Sequence, residues 1–356
     1  FNRNILQIIG DLHYVKPTIM MSVPRIYERV YAKLTEKLAK KGALTRYVFN
    51  WAVEVGWRRF CKENGLTVEH SWREFLDGLV ADWLDQKVGS TLRDVFGGAK
   101  PHAFISGGAA LNQNVARTFI GLGITIYQGY GMTETSPILT VNKEHHNDPS
   151  TVGAPLPNME LRLGDNDELQ VKGPCVMKGY WKRPDATSEI FTEDGWLRTG
   201  DQADILPSGQ VRIKGRIKEI IVTSTGEKIP PADLEMAIEN DPLFSQVMAV
   251  GEDLPYISVI AVLDPDQWKA LARDLNLDPE DPKSLEAKAL QQTLVRRVKK
   301  LTRGFPQYGV PRAVIPTLMA WTIDNGMLTP TLKIKRRVIK ARYQDEITKL
   351  YETHAA

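Results

Sequence analysis

The stretch that decides the fold is AFISGGAALNQNVARTFIGLGITIYQGYGMTE, residues 103–134. It opens with a short apolar segment, 103–106, that is typical of a buried strand and runs directly into two glycines. A helix is predicted over Gln113–Gly121, followed by a second strand over 124–127. A strand, a helix and a strand at this spacing predict a parallel βαβ unit.

Small and polar residues follow both predicted strands. Gly107 and Gly108 follow the first strand, and Gln128-Gly129-Tyr130-Gly131 follows the second. In open parallel sheets, ligands bind beyond the carboxyl ends of the strands. Glycines at such ends let the backbone approach a ligand closely. The sequence therefore predicts a ligand site at this edge of the sheet.

The residues upstream predict a loop, a buried strand over 18–23, and then helices. Apolar residues recur every four positions after Pro24, which indicates an amphipathic helix that ends near Gly42. Two tryptophan-rich helices are expected around 44–62 and 71–88. Packing in the core is the simplest reading of these tryptophans.

The residues downstream predict two further regions. Closely spaced turn signals over 150–213 favour a small antiparallel sheet or barrel. A lysine- and glycine-rich stretch, 214–230, lacks strong periodicity and is a candidate domain boundary or hinge. Helices are then expected over 231–240, 265–275, 284–303 and 336–351, and strands over 246–251, 256–263 and 313–323.

These segments together predict an α/β fold with two domains. Residues 1–215 would form part of a large domain, in which a parallel βαβ sheet is joined by a β-rich subdomain at 150–213. Residues 216–356 would form a compact α+β C-terminal domain, which the hinge candidate in 214–230 would make mobile. A chain of 356 residues with 42% hydrophobic composition is long enough to give each domain its own core.

Composition excludes several other classes of protein. The net charge of +3 is too small to indicate a nucleic-acid binder by itself. Two cysteines, Cys61 and Cys175, are too few for a disulfide framework and suit a reducing cytoplasm. No apolar run approaches the roughly 20 residues that a membrane-spanning helix needs. The chain opens without methionine or a signal-peptide pattern, and a fragment of a longer protein is expected.

Two motifs lie at the predicted strand ends. In Tyr130-Gly131-Met132-Thr133-Glu134-Thr135, a threonine hydroxyl can bond a phosphate oxygen and the glutamate can hold Mg²⁺, which prefers oxygen ligands and phosphates. Taken alone, a generic glycine-rich turn explains this motif as well. Ser106-Gly107-Gly108-Ala109-Ala110-Leu111 could form a flat slot for a planar base, or simply allow tight packing of strand and helix.

Three more motifs follow along the chain. In Gly195–Asp201 (GWLRTGD), an aspartate in a glycine turn can accept bonds from two vicinal hydroxyls, or lie in a solvated turn. The basic residues of 214–222 (KGRIKEIIV) could meet a nucleotide or form a solvated face. The lysine- and arginine-rich segment 328–337 (LTPTLKIKRR) is by itself most often a solvated helix face.

In this order and spacing, the motifs resemble the adenylate-forming, AMP-forming superfamily that includes acyl-CoA synthetases, luciferases and peptide-synthetase adenylation domains. Residues 130–134 resemble its YGxTE motif, 195–201 its GWxxTGD motif, Gly215-Arg216 the GR at its domain junction, and 329–336 its C-terminal lysine motif. Residues 16–28 (KPTIMMSVPRIYE) are similar to long-chain fatty acyl-CoA synthetases, as is the Leu-Thr-Pro-Thr-Leu-Lys form of the lysine motif.

The resemblance implies ATP-dependent activation of a long-chain fatty acid to acyl-AMP, followed by transfer to CoA. Lys333 would be the adenylation lysine, and Thr133 would contact phosphate. Glu134 would help to hold Mg²⁺. Asp201 would bind the ribose hydroxyls, with Arg216 close by.

The same resemblance implies the rest of the nucleotide and CoA sites. Gly108, Ala109 and Ala110 would flank the adenine. The second strand end would line the same nucleotide pocket through Gln128, Gly129, Tyr130, Gly131 and Met132. Lys218 matches the hinge position, and Gly226 lies in a stretch that would line the pantetheine tunnel.

One element of the family is missing from the sequence. The Ser/Thr/Gly-rich loop whose lysine wraps the β- and γ-phosphates has no match here, and we expect it upstream of Phe1. Two alternatives stay open: an adenylate-forming enzyme that passes the acyl group to a carrier protein, and a truncated fragment that is itself inactive. A nucleic-acid binder is disfavoured, because the basic run lacks interleaved aromatics.

The expected partners are therefore a long-chain fatty acid, ATP with Mg²⁺, and CoA as cosubstrate, with no nucleic acid. The expected location is the cytoplasm. Peripheral contact with a membrane is compatible with the basic residues of 333–342, since each cation near an anionic surface contributes about 1 kcal/mol. The sequence leaves the acyl chain length, the pathway and the oligomeric state open.

Overall fold

The chain divides into two compact units. The computed structural model describes residues 8–67, 74–95, 103–329 and 333–353. The first unit ends at Ile213 and the second begins at Lys214.

The first unit contains seven helices and nine strands among its described residues. The helices are α1 Ile8–Val15, α2 Pro24–Ala39, α3 Ala43–Glu63, α4 Glu74–Leu84, α5 Ser90–Val95, α6 Gln113–Gly121 and α7 Pro184–Ile190. The strands are β1 Ile19–Ser22, β2 Ala103–Ser106, β3 Ile126–Gly131, β4 Ile138–Val141, β5 Ala154–Pro155, β6 Glu160–Leu163, β7 Glu168–Lys172, β8 Leu197–Ile205 and β9 Val211–Arg216, the last of which runs across the unit boundary.

The predicted βαβ unit is present. β1, β2 and β3 pair in parallel, and Ser22, Ser106 and Gln128 lie side by side in their register. Helix α6 begins because the Asn112 side chain accepts hydrogen bonds from the backbone N–H groups of Asn114 and Val115. β4 and β5 extend the sheet in antiparallel fashion, giving the order β1-β2-β3-β4-β5.

One expectation about this sheet was wrong. The strand predicted over 18–23 is not buried: Ile19 is 61% exposed and Met21 is 75% exposed. Among the described residues, β1 pairs with one strand only, β2. An apolar run shows that a strand forms but not whether a second strand flanks it. The loop expected before this strand is in part a helix, α1.

The expected upstream helices are present with shifted ends, and their buried residues share one cluster with Phe104 and Ile126 of the sheet. The second tryptophan-rich helix continues from α4 through a π-helical turn, Asp85–Gly89, into α5, and residues 71–73 of the predicted range lie outside the described residues. Trp51 and Trp57 pack against the core, whereas Trp83 is 52% exposed. The prediction that the tryptophans pack in the core is therefore confirmed for Trp51 and Trp57 but is wrong for Trp83.

The β-rich region of the first unit is a separate four-stranded sheet in the order β6-β7-β8-β9. β6 pairs with β7, and β7 with β8, in antiparallel fashion. Its core is built from alternate residues of these strands, including Leu169, Val171 and Leu197, which are fully buried. This sheet matches the antiparallel arrangement expected from the turn signals.

The second unit is an α+β sandwich. Its helices are α8 Pro231–Glu239, α9 Pro265–Asp274, α10 Lys288–Leu301, α11 Arg336–Arg342 and α12 Gln344–Thr353. Its strands are β10 Ile221–Val222, β11 Lys228–Ile229, β12 Phe244–Val250, β13 Ser258–Leu263 and β14 Ala313–Thr317. The helix predicted over 336–351 is two helices, and the strand predicted over 313–323 ends at Thr317.

The sheet β12-β13-β14 is covered on both faces. Every residue of β13 is buried, and successive residues alternate between two hydrophobic clusters. Val259 and Ala261 face the cluster that includes α8, α9 and α10, whereas Ile260 and Val262 face the cluster that includes α11 and α12. Such two-sided burial explains why this strand is a continuous apolar run in the sequence.

The outer edge of β12 is closed by side chains of α8. The N–H of Ala249 donates to Glu235 Oε1 at 2.7 Å, and the N–H of Val247 donates to Glu239 Oε1 at 2.9 Å. The two glutamates are one helical turn apart, and the two edge amides are two residues apart. Side chains therefore satisfy backbone donors that an edge strand would otherwise leave unpaired.

None of the described helices combines the length and the apolarity that crossing a membrane requires. Both cysteines are free thiols, and burial raises the pKa of the Cys61 thiol to about 11.

The packing at the centre of the first unit generates a test of its core. Phe119 is fully buried on α6 and meets the ring of Tyr27 edge-on at 5.6 Å. We expect Phe119→Ala to lower the free energy of unfolding by about 3–5 kcal/mol, because the cavity adds to the lost burial. The matched control is Tyr14→Ala, since Tyr14 is 92% exposed. Denaturant unfolding that gives equal values for both variants would contradict the assignment of this core.

Candidate functional site

The end of β2 forms an open, small-residue surface. Gly108 adopts φ +83°, a conformation that favours glycine, and a Cβ added there would meet no atom within 4 Å. Gly108, Ala109 and Ala110 are all exposed. A planar group can therefore approach this backbone without displacing a side chain.

Gln128 ties this surface to its surroundings. It is 6% exposed, and its Oε1 accepts the N–H of Leu111 at 3.2 Å while its Nε2 donates to the Pro149 carbonyl at 2.5 Å. Both ends of its amide are thus used inside the protein. Gln128 holds the loop after β2 in place, and its neighbours Gly129 and Tyr130 are only half-buried.

Gly131 is required by a close approach of two backbones. A Cβ at this position would lie 1.8 Å from the Pro137 carbonyl oxygen, which leaves no room for any side chain. Met132 follows, and its N–H donates to the hydroxyl of Thr135 at 3.1 Å. That contact closes the 3₁₀ turn Thr133–Thr135 and sets the direction of its side chains.

The 3₁₀ turn presents Thr133 and Glu134. Thr133 is exposed and Glu134 is half-buried. The Tyr180 hydroxyl donates to Glu134 Oε1 at 2.7 Å, and this bond raises the pKa of Tyr180. The N–H of Met177 also donates to the Glu134 carbonyl at 2.8 Å. The segment before α7 therefore fixes both the backbone and the side chain of Glu134.

Asp201 is brought to the same region from the β-rich sheet. It is 4% exposed, and its carboxylate accepts a hydrogen bond from the hydroxyl of Tyr130, 71 positions earlier. Its N–H donates to the Thr199 hydroxyl at 3.1 Å, and that hydroxyl donates to the Leu169 carbonyl at 2.8 Å. Asp201 is thus held on β8 by its own strand neighbours and joined to β3 by one tyrosine.

Beside Glu134 lies an open depression of about 560 Å³. Tyr180 lines it together with Trp181, which is 87% exposed, and with Lys178 and Lys182. Tyr180 therefore connects the Glu134 carboxylate to a depression that basic and aromatic residues line.

The remaining predicted residues lie at or beyond the unit boundary. Arg216 ends β9, and Lys218 lies in the 3₁₀ turn Ile217–Glu219; both are exposed. Gly226 adopts φ +84° in the turn between β10 and β11, where its N–H donates to the Thr223 carbonyl at 2.9 Å.

Lys333 lies in one of two antiparallel segments, 327–329 and 333–335, which are together called the lysine hairpin here. The N–H of Thr329 donates to the Lys333 carbonyl at 2.8 Å, and the N–H of Lys333 donates to the Thr329 hydroxyl at 3.0 Å. The Lys335 N–H donates to the Met327 carbonyl at 2.8 Å. Lys333 is exposed, and residues 330–332 of its motif lie outside the described residues.

Within the first unit, the structure gathers the predicted residues from three separate segments of the chain. The role of Tyr180 and the structural use of Gln128 were not predicted from the sequence. The role of Glu235, which contacts Arg336, was not predicted either. The only available signal for Tyr180 was the aromatic pair Tyr180-Trp181 after a glycine, inside a region otherwise interpreted through its turns.

A magnesium ion suits this part of the first unit. Among the described residues, no group of three or more acidic, histidine or cysteine side chains is arranged to hold a metal. Magnesium usually needs only one or two carboxylates, with substrate phosphates and water supplying the other ligands. A half-buried Glu134 beside an exposed threonine fits that small donor set.

Comparison with known proteins agrees with this geometry. Residues 2–181 match the family model described as AMP-binding enzyme, and residues 218–355 match the model described as AMP-binding enzyme C-terminal domain. Among solved structures, the A domain of carboxylic acid reductase from Segniliparus rugosus, in complex with AMP and a co-purified carboxylic acid, has a similar fold. It aligns with a TM-score of 0.68 at 24% identity, over 99% of this chain and 50% of that chain.

Two curated relatives span the chain almost completely. Long-chain-fatty-acid–CoA ligase FadD15 of Mycobacterium bovis is 33% identical over 99% of this chain and 57% of its own length. The chloroplastic long-chain-fatty-acid–[acyl-carrier-protein] ligase AEE15 of Arabidopsis thaliana is 28% identical, over 98% of this chain and 52% of its own length. The chain thus spans little more than half the length of these relatives. With both family models matched in order, the chain belongs to the AMP-binding enzymes.

Proposed function

We propose that this chain carries part of the active site of an ATP-dependent, AMP-forming long-chain fatty acyl-CoA ligase. The observation that carries the proposal is the hydrogen bond between Tyr130 and Asp201. This bond joins Tyr130, at the end of β3 that would line the nucleotide, to Asp201, the buried carboxylate that would hold the ribose. The two motifs lie 71 positions apart in the sequence, and their meeting in the fold supports a shared ligand.

In the first step, a fatty acid carboxylate attacks the α-phosphate of ATP and pyrophosphate leaves. Negative charge develops at the α-phosphate, and fixed cations and hydrogen-bond donors stabilise it. Lys333 would supply such a cation, and Thr133 a hydroxyl. Mg²⁺ neutralises phosphate charge when it is bound, and Glu134 would hold it with Tyr180 fixing one carboxylate oxygen.

In the second step, the CoA thiol displaces AMP from the acyl-AMP. The proposed domains, 1–215 and 216–356, would rotate about Lys218 between the steps, so that Lys333 withdraws and the turn at Gly226 borders the pantetheine path. Exposure of the Lys218 side chain in a single 3₁₀ turn supports this role, because a hinge residue must change its backbone conformation without disturbing buried packing.

The long-chain substrate is supported by sequence. A relative named for long-chain fatty acids and CoA is 33% identical across 99% of this chain. A relative named for an acyl carrier protein, at 28% identity, supports the competing acceptor. We place the enzyme in the cytoplasm and expect peripheral membrane contact through exposed basic residues of α11, such as Arg337 and Lys340.

The deciding experiment supplies presynthesised palmitoyl-adenylate to the chain with either CoA or a holo acyl carrier protein. This half-reaction uses no ATP, so it needs no grip on the β- and γ-phosphates. Palmitoyl-CoA as the product supports the ligase, and palmitoyl transfer to the carrier protein alone supports the competing acceptor. No transfer to either acceptor contradicts the proposal that this chain contains a working acyl-AMP site.

Lys333→Ala tests the adenylation lysine. In protein that also carries the phosphate loop expected upstream of Phe1, we expect adenylation to fall by orders of magnitude, since loss of one transition-state contact costs roughly 3–4 kcal/mol, while transfer from acyl-AMP to CoA is kept. Lys335→Ala is the matched control on the same hairpin. The two half-reactions are measured separately, and equal loss in both would exclude this role for Lys333.

Lys218→Pro tests the hinge. Proline fixes φ near −65° and restricts the residue before it, so rotation at this position becomes costly. We expect transfer to CoA to fall at least tenfold more than adenylation. Lys218→Ala removes the same side chain without fixing the backbone, and it should behave like the unchanged protein. Unaffected CoA transfer in the proline variant would refute the hinge.

Asp201→Asn tests the ribose contact. Because a hydrogen bond to a charged group contributes about 1.5–3 kcal/mol, we expect AMP to bind about tenfold or more weakly in calorimetry. Tyr130→Phe should weaken binding less, since Asp201 keeps its charge. Asp204→Asn lies on the same strand and is the control. A similar loss of affinity for Asp204→Asn and Asp201→Asn would argue against a direct contact.

A further inference from the structure

Arg336 uses three nitrogens on two carboxylates within the second unit. Its Nη1 and Nη2 bind Glu235 Oε1 and Oε2 at 2.6 and 2.7 Å, which is a bidentate pair. Its Nε binds Glu219 Oε2 at 3.1 Å. One guanidinium therefore joins helix α8, where Glu235 lies, to the turn that carries Glu219.

The Glu235 half of this arrangement is buried. Glu235 is 7% exposed, and its Oε1 also accepts the N–H of Ala249 on β12. Burial raises the pKa of the Glu235 carboxyl, and the Arg336 guanidinium and the Ala249 N–H oppose that rise. Removing one partner of such a pair would leave a buried group without compensation. The position of the guanidinium is therefore fixed relative to α8 and β12.

Arg336 also anchors the lysine hairpin. The hairpin bond from the Lys335 N–H to the Met327 carbonyl ends one residue before Arg336, and Lys333 lies three residues before it. Arg336 is the first residue of α11 and directly follows the lysine hairpin. Because its guanidinium is held in place, the point at which the hairpin joins the helix is fixed. The orientation of Lys333 relative to the body of the second unit follows from that anchor.

Glu219, the second carboxylate that Arg336 binds, is exposed, whereas Glu235 is buried. The Glu219 side chain is 45% exposed and directly follows Lys218 in the 3₁₀ turn Ile217–Glu219. Its contact with Arg336 spans 117 positions of the chain. The Arg336 guanidinium thus contacts Glu219, which is next to the proposed hinge residue Lys218. Arg336 itself is the first residue of α11, three positions after the proposed adenylation lysine, Lys333.

We propose that Arg336 is a positioning residue for Lys333 and that Glu219 links this anchor to the hinge turn. The inference rests on the proposed roles of Lys333 and Lys218. Arginine is required rather than lysine, because only a guanidinium can bind both oxygens of Glu235 and still reach Glu219. Glu235 supplies the fixed point, and the exposed Glu219 contact carries the connection to the turn.

Hydrogen exchange of backbone amides tests the anchor without depending on activity. We expect Arg336→Lys to speed exchange about tenfold at Thr329, Lys333 and Lys335, whose N–H groups form the hairpin bonds. Amides of β13 should keep their protection. The neighbouring Arg337→Lys, an exposed position, is the matched control and should change nothing. Unchanged hairpin exchange in Arg336→Lys would overturn the proposal.

A second variant covers the case in which Arg336→Lys does not fold. Glu219→Gln keeps the size of an exposed side chain and removes its charge, so the melting temperature should stay within about 1 °C. We expect faster exchange in both the hairpin and the turn at 217–220. In the double variant with Arg336→Lys, the Glu219 substitution should add no further change, because both act on one contact. Independent, additive effects would contradict the link.

The half-reactions separate positioning from general stabilisation. If Arg336 acts through Lys333, Arg336→Lys lowers the maximal rate of adenylation at least tenfold and leaves transfer from palmitoyl-adenylate to CoA within twofold. Equal loss in both half-reactions would indicate a merely structural ion pair and overturn the role. If Lys333→Ala leaves adenylation intact, the proposed function of Lys333 fails, whereas the exchange result still decides whether Arg336 orders the hairpin.

Discussion

Parallel pairing of β2 with β3 is the constraint on which the first unit depends. Ser106 on β2 lies opposite Gln128 on β3, so the segments that follow the two strands leave the sheet at the same edge. The backbone after β2 becomes an open small-residue surface, and β3 continues into the turn that carries Glu134. Because Gly131 allows the backbone to pass within van der Waals contact of Pro137, β4 can turn back tightly and leave this edge accessible.

The sequence predicted most of this architecture because its signals are local. Periodicity, glycines and caps lie within a few residues of the strands and helices they define, as Asn112 does for α6. It did not predict the exposure of Ile19 and Met21 on β1, because the burial of a strand depends on partners elsewhere in the chain. The contact from Tyr180 to Glu134 was missed for the same reason, since it spans 46 positions.

The second unit illustrates a different limit of sequence reasoning. Glu235 resembles any glutamate on an amphipathic helix, yet it is buried and binds both Arg336 and the backbone of β12. Nothing in the spacing of charges distinguishes it from Glu239, which is exposed and caps the neighbouring edge amide. Only the packing of α8 against β12 separates a carboxylate that is exposed to water from one that holds several segments together.

The edges of the two main sheets have opposite consequences for self-association. In the second unit, Glu235 and Glu239 occupy the outward amides of β12, so a foreign strand finds no free donors at those positions. In the first unit, the described residues pair β1 on one side only, and Ile19 and Met21 expose apolar surface beside it. An open, apolar edge is a template for strand addition between molecules. Among the described residues, β1 is therefore the strand that can accept a further strand, either from another part of the same protein or from a second molecule.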